Sequence, residues 1–335
     1  MADSRESAQE MGSVYREQGF DIRVRKVRAM EPVMRSKKAH RCLKAFFLGL
    51  VALLLPQLTA AKMITVGSVG DVPTEEIKKF MPLANYLAKQ LRSDDFDHGK
   101  VVVARSITEM ATLMKEGKVD LYMDSPFPAV AVSRLSGSKL LLLRMKQGLS
   151  EYHSVIFTRK DSGVNKLQDL NQKIIAFKEP FSSSGYFVPK MALVQEGLKL
   201  VRKTDPTDRV GPREVGYVFS NDNENTMVWV LRKKVVAGAT DSQNYEKEAR
   251  GNLDSLKIIY ETFSFPRQIL LVRGDLPATL VAKIKEILIN MHLSDEGKKA
   301  LADFEKTTRF DELPEKSMAP FLKAGKLIDA EVGVQ

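Results

Sequence analysis

The stretch Phe177-Lys-Glu-Pro-Phe-Ser-Ser-Ser-Gly-Tyr-Phe-Val-Pro189 decides how this chain is read. It leaves Lys173-Ile-Ile-Ala-Phe177, an apolar run of a length suited to a buried strand. Beyond it, Val188, Met191, Ala192 and Val194 form a patterned segment that stops at Gly197. A strand, a Ser/Gly turn and a helix start gather free backbone N–H groups and hydroxyls at the positive end of a helix dipole. Such a point suits a small tetrahedral oxyanion. The same serines also serve as ordinary helix caps, and this stretch alone leaves both readings open.

The strand–turn–helix unit recurs on either side. Met63-Ile-Thr-Val-Gly-Ser-Val69 reads as a strand and leads into Pro73-Thr-Glu-Glu, an acidic, proline-led helix start. Ile77, Met81, Ala84, Leu87, Ala88 and Leu91 continue at helical spacing. Val101-Val-Val-Ala is a strand, and Ser106-Ile-Thr-Glu109 is a capping box whose helix ends at Gly117. Val119–Met123 and Lys139–Arg144 are further strands. After Tyr152 the alternation repeats, with strands near Lys173–Phe177, Glu214–Val218, Val235–Thr240 and Ile258–Thr262, and helices near 185–197, 223–233 and 242–250. Gln268–Arg273 and a helix through Leu280, Ile284, Ile287, Leu288 and Met291 close the pattern. The alternation predicts mostly parallel sheets with helices on both faces. Ligands in such sheets sit at the carboxyl ends of the strands.

The N-terminal region is of another kind. Ala45-Phe-Phe-Leu-Gly-Leu-Val-Ala-Leu-Leu-Leu55 follows Arg35, Lys37, Lys38, Arg41 and Lys44 and precedes Ala60-Ala61. A basic segment, an apolar core of about a dozen residues and small residues at the exit read as a secretory signal at 34–61, cleaved after Ala60 or Ala61. It is too short for a comfortable membrane span, and uncleaved it would act as an N-terminal anchor. Residues 1–33 carry no apolar block and read as a non-structural leader or a mis-assigned start. The net charge of +10 shrinks to 41 Lys/Arg against 36 Asp/Glu over residues 62–335. That surplus calls for no nucleic-acid partner. The single cysteine, Cys42, lies before the apolar run, so a mature chain would carry no thiol.

Three ordered stretches give the chain a resemblance. Leu121-Tyr-Met-Asp-Ser-Pro-Phe-Pro-Ala129, then Pro180 to Pro189 with its Ser-Ser-Gly-Tyr, then Phe219-Ser-Asn-Asp-Asn-Glu-Asn-Thr226 followed by Val236-Ala-Gly-Ala-Thr-Asp241 are similar to motifs of the phosphate/phosphite/phosphonate-binding subunits of bacterial ABC importers. The likeness covers about residues 63 to 310. It implies an α/β, two-lobed periplasmic-binding-protein-like fold, with mixed sheets, flanking helices and a two-strand hinge. The lobes would comprise 62–152 with 263–335, and 153–262. It also implies a periplasmic solute-binding protein, a monomer, that takes a small oxyanion to a membrane permease. A periplasmic sensing module that signals to a membrane receptor is the alternative.

Under this resemblance the ligand-binding set is Ser182, Ser183, Ser184, Gly185 and Tyr186 from the central stretch, with Tyr122, Asp124 and Ser125 from the first lobe. Asn223, Glu224 and Asp241 complete it. Tyr122 or Phe127 would wall the ligand. A carboxylate such as Asp241 beside an oxyanion is favourable only when the ligand carries a proton to donate. Hydrogen phosphate, phosphite and phosphonate monoanions do, and sulfate at neutral pH does not, so donor–acceptor matching separates them. Asp241 equally suits a helix cap before Ser242. Asn223 stands where that family often has histidine, which removes a cationic donor. Glu224 is placed either to cap its own helix or to meet an amine, and Trp229 reads as core.

Nothing points to an enzyme, a cofactor or a metal. Beyond the signal, His98, His153 and His292 fall in separate segments and no His/Cys cluster has ligand spacing. Ser136-Gly-Ser-Lys139 lacks the Lys-Thr-Gly that accompanies a catalytic Ser-x-x-Lys, and neither glycine-rich phosphate loop occurs.

Overall fold

A computed structural model describes residues 62–333. The expected leader, the signal at 34–61, Cys42 and the cleavage point at Ala60-Ala61 lie outside the described residues.

Strands β1 (Lys62–Val69), β2 (Phe96–Ala104), β3 (Leu121–Asp124) and β4 (Lys139–Lys146) alternate with helices α1 (Pro73–Gln90), α2 (Ile107–Lys115) and α3 (Pro126–Ser136). Proline sits in the first turn of α1 and α3, where its missing N–H costs nothing. The Ser106 hydroxyl accepts from Glu109 N and opens α2 as the capping pattern predicts. Gly137, with φ +73°, ends α3 in the left-handed region. The chain then passes through β5 (Glu151–Tyr152) into a second alternation. This comprises β6 (Ser154–Arg159), β7 (Ile174–Phe177), α4 (Val188–Gln195), β8 (Lys199–Arg202), β9 (Glu214–Phe219), α5 (Asn223–Leu231), β10 (Ala237–Asp241), α6 (Ser242–Glu248) and β11 (Leu256–Glu261). It returns through β12 (Phe265–Pro266) to β13 (Gln268–Val272), α7 (Ala278–Asn290), α8 (Asp295–Asp303), β14 (Thr307–Asp311), α9 (Glu315–Lys323) and α10 (Gly325–Glu331).

Two six-stranded sheets result, ordered β14-β4-β13-β3-β1-β2 and β11-β6-β10-β7-β9-β8, and β5 pairs antiparallel with β12 between them. The fold is a two-lobed α/β architecture with a two-strand connection. The sheets are mixed rather than mostly parallel. Strand β13 runs antiparallel to β3 and β4, and β6 runs antiparallel to β10 and β11. Each of these strands enters its sheet directly from the opposite lobe, without the helical crossover that would turn it parallel. Direction is therefore a consequence of the crossing and leaves no trace in local periodicity.

Each lobe buries an apolar layer of its own. Ile64, Leu83, Leu87, Leu270 and Ile284 lie in one, and Phe157, Ala176, Val218 and Met227 in the other. A third cluster runs across both lobes and includes Phe127, Phe187, Phe265 and Phe321. Trp229 is half-buried at the edge of the second lobe's core, with Lys234 Nζ 3.8 Å above its ring.

Candidate functional site

The carboxyl ends of β1, β3, β4, β7 and β10 converge on one cleft between the lobes, with a cavity volume of about 260 Å³. That lies just below the range of drug-sized sites and suits a small polar ligand. Ser68, Asp124, Ser125 and Lys146 face it from the first lobe. Lys178, Glu179, Ser182, Ser184, Asn223 and Asp241 face it from the second. Tyr152 and Arg267 complete the wall from the two connecting strands.

The central stretch forms a single π-helical turn, Ser183–Phe187, which runs into α4. Phe187 N donates to Ser182 O at 3.0 Å, the wide i→i+5 bond of such a turn, and these are frequent at functional sites. The Ser182 hydroxyl accepts from Gly185 N (2.9 Å), so it caps the turn while lining the cleft. Ser184 lines the cleft and is 8% exposed. Ser183 turns away. Its hydroxyl accepts from Phe127 N (2.8 Å) and donates to the Ser125 hydroxyl (2.8 Å), which joins the lobes. Helix α3 has no cap from its own Ser125 side chain, and Ser183, 56 residues away in sequence, supplies that bond. Phe127 stacks face to face on Phe187, with centroids 4.3 Å apart, beside this bond.

Gly185 is required for space. A Cβ there would lie 2.5 Å from the Lys178 Cβ. Tyr186 is buried in an aromatic group with Phe177 and Tyr217, and its hydroxyl donates to Glu331 (2.5 Å), away from the cleft. Burial, then the Glu331 carboxylate, push that phenol far above its usual range.

In the first lobe Tyr122 is fully buried and does not wall the cleft. Its hydroxyl donates to Asp124 Oδ2 (2.7 Å), and Asp124 Oδ1 accepts from Ser125 N (2.6 Å) and Ser125 Oγ (3.2 Å). Burial outweighs these three bonds and raises the Asp124 carboxyl to about 6. Phe127 also lies in the core rather than against the ligand space. The expected aromatic wall is provided instead by Tyr152, whose phenol is pushed up by burial and then by the nearby Asp241.

Asp241 reconciles its two readings. Its carboxylate accepts from Asn244 N (3.0 Å) and Asn244 Nδ2 (2.6 Å), capping α6, and it also faces the cleft. A carboxylate has about four acceptor positions, so two remain after capping. Asn223 reaches the cleft and its Oδ1 accepts from Thr240 Oγ1 (2.9 Å). Glu224 is exposed in the first turn of α5 and does not line the cleft; the cap there is Asp222.

Lys146, Lys178, Glu179, Tyr152 and Arg267 were absent from the sequence expectation. Lys178 and Glu179 immediately follow β7 and were readable there. Tyr152 and Arg267 precede the crossing strands, and an antiparallel entry puts the start of such a strand at the cleft.

Comparison with known proteins agrees with this architecture. The family model described as "ABC transporter, phosphonate, periplasmic substrate-binding protein" matches residues 71–317. The chain is 25% identical over 221 residues to the phosphonates-binding periplasmic protein of Escherichia coli K12, covering 62% of each. It is 29% identical over 153 residues to the phosphate-import protein PhnD of Mycolicibacterium smegmatis, covering 43% of this chain and 46% of that one. The matches thus span less than two thirds of either relative. Among solved structures, XAC2383 from Xanthomonas citri bound to ATP superposes with a TM-score of 0.75 at 21% identity, covering 80% of this chain and 98% of that chain.

Proposed function

The chain belongs to the family of periplasmic phosphonate-binding proteins of ABC transporters, and from that premise we propose that its cleft captures a phosphate-, phosphite- or phosphonate-like oxyanion for delivery to a membrane permease. Members of this family are substrate-binding proteins of transporters, not enzymes, and the family's place is the periplasm. The signal at 34–61 supplies the export step in this reading, and 62–152 with 263–335 and 153–262 serve as its two lobes.

One observation carries the reading. Three motifs separated in sequence bring Asp124, Ser125, Ser182, Ser184, Asn223 and Asp241 to the same small polar cleft at the strand ends. Four helical starts, at Pro126, Ser183, Asn223 and Ser242, stand around it, and their positive ends favour an anion. In the proposed site Ser184 and Ser182 donate to bare oxygens. Asp241 accepts from a ligand P–OH, which sulfate lacks. Asp124, raised to about 6 by burial, keeps one acceptor position after its three internal bonds.

A thermal-shift series with phosphate, phosphite, methylphosphonate and sulfate tests this. A ligand present at 100 times its Kd adds about 2.7 kcal/mol to the native state, a shift easily read. A rise in Tm with at least one phosphorus oxyanion, and a smaller one with sulfate, is expected. Equal or absent shifts with all four overturn the reading.

A further inference from the structure

This inference deepens the oxyanion reading and rests on it. Five carboxylates face the cleft, those of Glu76, Asp124, Glu179, Asp241 and Glu305. Three cations answer them, Lys146, Lys178 and Arg267. An anion entering this space meets a surplus of negative charge, so its retention depends on which cation is free to receive it.

Two of the cations are engaged. Lys146 Nζ lies 2.8 Å from Glu305, and burial holds that ammonium below its usual range. Burial pulls Glu305 upward, yet Lys146 and Arg144 together hold it below the usual carboxylate range. Lys178 Nζ lies 2.5 Å from Glu179. Arg267 differs. Among the described residues it forms no ion pair with a carboxylate, and its guanidinium bonds the neutral amide oxygen of Gln243. A guanidinium has five donors, so most of its fork is uncommitted.

Arg267 is held at three points. Arg267 N donates to Ser150 O (2.8 Å), beside the Phe265–Tyr152 and Pro266–Glu151 pairs of the two connecting strands. The guanidinium lies 5.1 Å over the Tyr152 ring, and Gln243, in the first turn of α6, holds it from the second lobe. Ring, guanidinium and amide together fix the fork at the strands that join the lobes.

We infer that Arg267 is the residue that neutralises the bound anion, by two parallel N–H···O bonds to one face of the oxyanion. A planar fork gives such a bidentate contact and an ammonium does not. Because it stands on the connecting strands, the charge it receives also favours the closed arrangement of the lobes.

Calorimetric titration of the protein with methylphosphonate and with phosphate, at low and moderate salt, tests this in Arg267→Gln and Arg267→Lys, with Ser184→Ala alongside. Arg267→Gln is expected to weaken binding ten- to a hundredfold and to flatten its salt dependence. Arg267→Lys should recover the salt dependence but only part of the affinity. If Ser184→Ala weakens binding while Arg267→Gln binds within twofold of the parent, this inference falls and the oxyanion reading stands. Equal weakening in both Arg267 variants with the parent's salt dependence makes Arg267 a packing residue only, which also overturns it. If the parent binds neither ligand, the underlying reading fails first.

Discussion

Adjacent serines with the same side chain do different work here because a π turn points them to different partners. Ser184 faces the cleft, whereas Ser183 caps a helix of the opposite lobe. Ser184→Ala is expected to weaken oxyanion binding by about 1–3 kcal/mol, the range for a bond to a charged group, with Tm unchanged. Ser183→Ala should act mainly on stability, by about 1 kcal/mol for a lost cap and more if the buried Phe127 N–H stays unpaired. Calorimetry and thermal melts of the two variants separate these effects, and a Ser183 variant that binds weakly at full stability contradicts the division. Asp124 adds a pH dependence. Its folded carboxyl titrates at about 6, against 3.8 in the ordinary state, so the native form binds the proton more tightly. Its stabilising contribution is therefore complete below about pH 4 and is lost as pH rises through 6. The shift corresponds to at most about 3 kcal/mol, less where the cleft stays wet. Asp124→Asn should flatten the fall in Tm between pH 4 and 6. A slope identical to the parent's assigns that titration to another group. The serines were legible as a set because a run of hydroxyls before a helix is a local signal. Which of them faces the cleft was not, since it depends on Phe127 and Ser125 in another segment.

At the scale of elements, the turn's shape depends on one glycine. Lys178 N donates to Gly185 O (2.9 Å), and a Cβ at 185 would press on the Lys178 Cβ, which sits next to the backbone and cannot swing away. Gly185→Ala is therefore expected to cost about 1–3 kcal/mol of stability and to displace the end of β7 with its cleft-facing Lys178 and Glu179. Unchanged melting and binding in this variant would show that the loop relaxes freely. The principal strands and helices were legible from their periodicity, because each buries one face against the sheet or its covering layer. Strands β8 and β14 were not read. Lys199–Arg202 and Thr307–Asp311 are short, polar and on sheet edges, so their pairing is set by neighbours rather than pattern. Helix α8 was not read either, nor were α9, which has Pro320 inside it, and α10, of seven residues.

For the whole molecule, helices α9 and α10 matter. Asp329 of α10 pairs with Arg134 on α3 of the first lobe, while Glu331 binds Lys190 and Tyr186 of the second (2.5 Å each). Phe321 of α9 joins Phe187 and Phe265 in the cluster that crosses the lobes. The C-terminal segment thus ties both lobes on the side of the molecule where Tyr186 turns away from the cleft. Glu331→Gln is expected to lower Tm modestly, since it removes one charge of a partly buried pair and leaves Lys190 uncompensated. An unchanged melt would mean that the segment contributes through apolar contact alone. The resemblance read from three motifs gave the two-lobed fold and the family, because strand-end loops carry both. The charges that ring the cleft come from strands distant in sequence, and no single motif contains them. In the proposed function the cleft selects a protonatable phosphorus oxyanion. Calorimetric titration of the parent and of Asp241→Asn with methylphosphonate, phosphite, phosphate and sulfate tests it most directly. One-to-one binding of at least one phosphorus oxyanion is expected, with sulfate at least tenfold weaker and a narrower gap in Asp241→Asn. Sulfate binding as tightly as the phosphorus oxyanions in the parent, or no binding by any of them, would contradict it.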